Sequence, residues 1–151
     1  MAKARAAADG RLGREAPATV TVVRRATFAA AHVLRREEWD DARNRDLFGK
    51  CAGEHGHNYE LEVAVEGEPD PATGMVIDLK ALDRVMREAV VDAVDHRHLN
   101  HDVPWLEGVI PTAENLARAF WARLEAALPA GSLRRVRLVE SENNSVLVER
   151  T

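Results

Sequence analysis

The sequence predicts an α+β fold: a four-stranded antiparallel sheet with two helices on one face, in the order ββααββ. Three observations carry this. The segments from Thr19 to Leu34 and from about His55 to Gly67 alternate apolar and polar residues with a period of two. Two later segments, opening near Asp78 and Thr112, repeat apolar residues at helical spacing. Two short alternating runs, around residues 136–140 and 146–148, then close the chain.

In the first strand Val20, Val22, Ala26, Phe28, Ala30 and His32 share one parity, so His32 lies on the Phe28 face near the strand's end. The polar stretch Arg35 to Lys50, with Trp39, Leu47 and Phe48, reads as a long loop with at most a helical turn. In the second strand His55, His57, Tyr59, Leu61, Val63 and Val65 alternate with Asn58, Glu60, Glu62 and Glu66, which puts both histidines on the apolar side. Pro and Gly between Glu68 and Gly74 mark a turn. Asp78 is a good N-cap for a helix carrying Leu79, Leu82, Met86, Ala89, Val90 and Ala93, ending around Val94 to His98. Thr112 caps a second helix, with Leu116, Phe120, Leu124 and Leu128 on one stripe and a stop by Gly131. Ser141 to Ser145, centred on Asn143-Asn144, reads as a hairpin turn. Two helices over four strands leave open sheet edges, which points to self-association.

The 151 residues suit one domain, read as 19–151, behind a flexible extension at 1–18 that has little to bury. A net charge of −4 without a basic stripe argues against a nucleic-acid partner. No apolar run approaches the ~20 residues that cross a bilayer, so no membrane partner is expected. The single cysteine excludes an internal disulfide framework and fits a cytoplasmic setting.

Three histidines carry the chemistry. A His-x-His pair on a strand, His55 and His57, projects both rings to one side. His32 faces the same way if the two strands pair antiparallel. Three neutral imidazoles hold zinc and leave a fourth position open, as catalytic zinc requires. Cys51, in a polar, loop-like setting beside Lys50, reads as a thiolate nucleophile or general base. Asp95-His96 reads either as a helix end, where His suits the dipole, or as a proton relay. His98 and His101 read as structural or solvent-facing. Glu140 continues the apolar parity of Val136 and Leu138, so its carboxylate needs a partner: an arginine, or a ligand with two adjacent N–H donors such as a pterin or guanine ring. Thr112 and Glu114 open the second helix, where capping and the dipole account for them.

Together these residues resemble the 6-pyruvoyltetrahydropterin synthase family, which includes 6-carboxytetrahydropterin synthase of the queuosine pathway. The resemblance rests on Phe28-Ala29-Ala30-Ala31-His32, Leu47-Phe48-Gly49-Lys50-Cys51, His55-Gly56-His57-Asn58-Tyr59 and Asp70 to Val76. It continues through Val94 to Asn100, Pro111 to Asn115 and Glu140 to Asn144. It implies the tunnelling fold (T-fold), in which three subunits join their sheets into a barrel and two trimers stack into a homohexamer with inter-subunit active sites. It further implies Zn2+ on His32, His55 and His57, proton transfer by Cys51, Asp95 and His96, and a pterin ring anchored by Glu140 with Thr112 and Glu114 nearby. The implied substrate is 7,8-dihydroneopterin triphosphate, from which triphosphate leaves. Three residues separate Cys51 from His55, as in the carboxy-forming enzymes, so the expected product is 6-carboxy-5,6,7,8-tetrahydropterin, with acetaldehyde released. The pyruvoyl-forming branch is the alternative, favoured by Leu47 to Lys50 and Asn143-Asn144. The folate-type branch is disfavoured because Ala52 stands where it places a glutamate. From other classes, the rivals are a non-catalytic pterin- or purine-binding protein and a zinc hydrolase.

Overall fold

The computed structural model describes residues 18–151, so the extension expected over 1–18 lies outside it except for its last residue. Strand β1 (Val20–His32) pairs antiparallel with β2 (His55–Gly67) along its whole length, from Val20 opposite Gly67 to His32 opposite His55. Between them lie helix α1 (Asp41–Phe48) and a 3-10 turn at Gly49–Ala52. After β2, α2 (Leu79–Met86) widens into a π turn at Arg87–Val91 and ends in the one-turn α3 (Asp92–Val94). A short strand β3 (Arg97–His98) follows, then α4 (Ala113–Ala127), β4 (Leu133–Ser141) and β5 (Asn144–Glu149).

Among the described residues the sheet therefore has five strands in the order β3-β1-β2-β4-β5, not four, and it is mixed, because β3 runs parallel to β1. A two-residue strand offers no alternation to detect; long-range hydrogen bonds create it. His96 takes a positive φ of 59° and turns the chain back onto β1. The His96 N–H then donates to the Ala29 carbonyl, and the Leu99 N–H to the Ala31 carbonyl at 2.8 Å. The Asn100 side chain clasps the Val33 backbone, accepting from its N–H at 2.9 Å and donating to its carbonyl at 3.0 Å.

The stretch expected to be a loop holds α1, capped by Asp40, which accepts from the Arg43 N–H. Its apolar content is too low for a helical stripe. Buried Asn44 fixes it instead, accepting from the Arg36 N–H and donating to the Arg36, Trp39 and Asp40 carbonyls. The hairpin turn sits one residue earlier than the asparagine pair suggests: Ser141 pairs with Asn144, leaving Glu142 and Asn143 in the loop.

Both predicted caps form, with Asp78 accepting from the Lys80 N–H and Thr112 from the Asn115 N–H. The helices cover one sheet face. Phe28 stacks on Tyr59 with centroids 4.8 Å apart and meets Phe120 of α4 edge-on at 5.9 Å. Leu82, Met86 and Val90 fill the space from α2 and its π turn. That turn releases backbone carbonyls, and the Arg123 guanidinium donates to the one at Ala89. On the opposite face charges pair across strands, Arg25 with Glu60 and Arg135 with Glu62.

Candidate active site

The three histidines meet where β1 ends and β2 begins. His32 lies directly opposite His55, and Ala30 opposite His57. Because alternate residues face one side, all three rings project toward the helices. Ring centroids are 4.5 Å apart for His32–His55 and 5.1 Å for each of the other two pairs. One ligand-capable nitrogen from each lies within 4.8 Å of the others. Gly56 permits this closeness: a Cβ there would stand 3.0 Å from the Ala30 carbonyl oxygen and 3.6 Å from the Ala31 Cα. A side chain would push β1 off β2.

Hydrogen bonds set the ring tautomers. His32 Nδ1 lies 2.9 Å from the Pro111 carbonyl and His55 Nδ1 2.7 Å from the Gly53 carbonyl. A carbonyl only accepts, so each Nδ1 carries the proton and each Nε2 keeps a lone pair. The Nε2 atoms of His32, His55 and His57 are all buried and have no hydrogen-bond partner among the described residues. Orphaned buried acceptors are costly unless something binds them. Burial, reinforced by the neighbouring imidazoles and opposed by the Pro111 bond, lowers His32 to about 4. Burial also lowers His57, against the pull of Glu140. Convergent imidazoles, two of them with carbonyl-oriented outer nitrogens, suit a divalent transition metal, and zinc fits this donor set.

Glu140 stands beside the cluster, Oε1 4.0 Å from His57 Nε2. Its parity with Val136 and Leu138 puts it on this face, and the pairing of β4 with β5 slips beside it: Val139 pairs with Ser145 and Ser141 with Asn144, leaving Glu140 as the extra residue of a bulge. Bulges re-aim side chains next to active sites. Glu140, Thr112 and Glu114 line one cavity of about 440 Å3 with Leu34, Ala113 and Asn143 to Val146. The structure thus brings together the three residues expected at a pterin subsite. Leu34 and Ser145 were not anticipated there, having no chemical signature of their own.

Cys51 occupies the 3-10 turn and is exposed, and its thiol stands outside the imidazole cluster. Its carbonyl accepts from the Leu34 N–H at 2.8 Å, which holds the turn against the segment leaving β1. Asp95 and His96 are in contact, Oδ1 to Nδ1 at 2.9 Å, and the same oxygen accepts from the Ala29 N–H at 2.9 Å. The Ala29 N–H first, then His96, holds the Asp95 carboxyl below its usual range. The His96 ring is 83% exposed, so its Nε2 faces outward on a strained backbone. Sequence reasoning missed Tyr59, whose hydroxyl lies 3.4 Å from His32 Nδ1 and whose burial raises its pKa. The parity of β2 carried that signal.

A family model described as 6-pyruvoyl tetrahydropterin synthase matches residues 21–151. The chain belongs to that family. The human 6-pyruvoyl tetrahydrobiopterin synthase is 44% identical over 137 residues, covering 89% of this chain and 93% of the relative. Dihydroneopterin monophosphate aldolase of Pyrococcus furiosus is 36% identical over 128 residues, covering 85% of this chain and 94% of that one. The solved structure of Caenorhabditis elegans 6-pyruvoyl tetrahydropterin synthase superposes with a TM-score of 0.82 at 36% identity, covering 89% of this chain and 97% of that one.

Proposed function

We propose that this chain is a zinc-dependent lyase that converts 7,8-dihydroneopterin triphosphate to 6-pyruvoyl-tetrahydropterin, releasing triphosphate on a route to tetrahydrobiopterin. The observation that carries the reading is the set of three buried Nε2 atoms without partners among the described residues, beside the carboxylate of Glu140. The product departs from the carboxy form expected from the Cys51–His55 spacing. A relative 44% identical over nearly the whole chain is named for the pyruvoyl product, and that outweighs one loop length.

His32, His55 and His57 hold the zinc. When bound, it supplies Lewis acidity toward the hydroxyls of the substrate side chain. Glu140 accepts the paired N–H edge of the pterin ring, which a carboxylate does well. Thr112 and Glu114 line the same pocket and orient the ring. Cys51, as thiolate, takes a proton from the side chain. His96, its Nδ1–H held by Asp95, takes up and returns protons through Nε2. The chemistry is an internal redox change. One carbinol is oxidised to a carbonyl as its two hydrogens pass to the dihydropterin ring; at the other, loss of the C–H proton expels triphosphate, and the resulting enol takes up a proton at the terminal carbon to become a methyl ketone, so no outside reductant is needed.

The exposure of His96 and Cys51 supports a site completed by a neighbouring copy, in a homohexamer made of two trimers. The free cysteine supports a cytoplasmic setting, and the charge pattern a small-molecule substrate and no nucleic acid. The test is incubation of purified protein with dihydroneopterin triphosphate and product identification by mass. The pyruvoyl product is expected. A carboxypterin with acetaldehyde would move the chain to the other branch, and zinc-loaded protein without turnover would sink the enzyme reading. Cys51→Ala should lower turnover ~10²–10⁴-fold with zinc still stoichiometric; unchanged rates would remove the thiol from the mechanism and favour a metal-hydroxide hydrolase.

A further inference from the structure

His98 and His101, expected to be structural or solvent-facing, meet Glu54 beside the catalytic cluster. One ligand-capable atom from each of the three lies within 4.8 Å of the others. Glu54 Oε2 is 2.7 Å from His98 Nε2, and the two rings lie stacked with centroids 4.4 Å apart. Glu54 and His101 are exposed and His98 is half-buried, so the group is open to solvent on one side. Nothing in the proposed reaction uses these residues. Two imidazoles and a carboxylate form a donor set for a divalent transition cation, with the remaining positions left to water.

We propose that Glu54, His98 and His101 form a second divalent-cation site, weaker than the three-histidine site, that ties the segment following His96 to the start of β2. The placement gives it this role. Glu54 immediately precedes His55, and His98 lies two residues beyond His96, in the strand that pairs with Ala31. A cation held by all three joins the turn carrying Asp95-His96 to the strand carrying two zinc ligands.

The order of affinity follows from the rings' other nitrogens. In the catalytic cluster, carbonyls already hold Nδ1–H on His32 and His55. At His98, Nδ1 instead accepts from the Asn100 N–H at 3.2 Å, so the ring proton sits on Nε2 and goes to Glu54. Cation binding at Nε2 moves that proton to Nδ1 and gives up the Asn100 contact. Exposed, hydrated ligands and a lost hydrogen bond make this site the weaker one.

The experiment is zinc titration of the full metal-stripped chain, with bound metal counted after gel filtration and affinities ranked by a competing chelator. The expected result is two equivalents per chain, the second at least tenfold weaker. His101→Ala, at an exposed position, should lose only the weak equivalent, as should Glu54→Gln. His57→Ala should lose only the tight one. Saturation at one equivalent in the unaltered chain, or retention of both in His101→Ala, overturns the second site and leaves the three-histidine reading standing. A chain that takes up no zinc overturns both.

Discussion

Gly56 lies between two of the clustered histidines and directly against β1, where a Cβ would come within 3.0 Å of the Ala30 carbonyl oxygen. Its neighbour on that side is backbone, which cannot swing away. Gly56→Val should therefore separate His32 from His55 and His57 and weaken zinc binding ~10–100-fold, read by chelator competition; unchanged affinity would show that the strands do not position the rings. His32 supports a second residue-scale prediction, for metal-free protein. Its native pKa, about 4, lies below the ordinary value of 6.5. Between those values the unfolded chain binds a proton that the native chain does not, so stability rises with pH across the window and is lost on acidification. Urea melts should show roughly 2 kcal/mol less stability at pH 5 than at pH 7 from this ring. His57 pulls in the same direction. His32→Asn should flatten the dependence, and an equally steep profile in that variant would place its origin elsewhere.

At the scale of elements, the helix caps were legible because capping is local chemistry: Asp78 and Thr112 each satisfy an N–H within three residues. Asp78→Ala should cost about 1 kcal/mol in denaturant unfolding, with turnover intact because the cap lies outside the site; a loss of activity would tie this helix start to catalysis. The histidine-bearing strands were legible for a related reason. Period-two alternation places His32, His55 and His57 on faces, and an antiparallel pair then brings them together. Helix α1, β3 and the bulge at Glu140 were not legible. α1 is anchored by one buried asparagine rather than an apolar stripe, and β3 exists only because His96 reverses the chain onto β1. The bulge arises from pairing between β4 and β5 offset by one residue, which no window of sequence contains.

At the scale of the whole molecule, the sheet ends in two unlike edges. β5 has no outer partner, and β3 covers only two residues of β1, among the described residues. Unlike edges pair head to tail, and such contacts close into rings when the rotation allows. That supports the proposed barrel of three chains, stacked in pairs. Sedimentation equilibrium should find a particle of six chains. A monomer with full turnover would show that one copy completes the site alone, and would remove the reason given for the exposure of Cys51 and His96.

The sequence by itself determined the α+β class, the faces of the main strands, the caps and the residues able to ligate metal, because each depends on periodicity or side-chain chemistry within a few positions. Only the tertiary structure decided that Gly56 lets the imidazoles close on one point and that the Glu140 carboxylate comes within 4.0 Å of His57 Nε2. It alone brought Glu54, His98 and His101 together. These depend on register and on contacts between residues far apart in the chain, where a shift of one position moves a side chain to the opposite face.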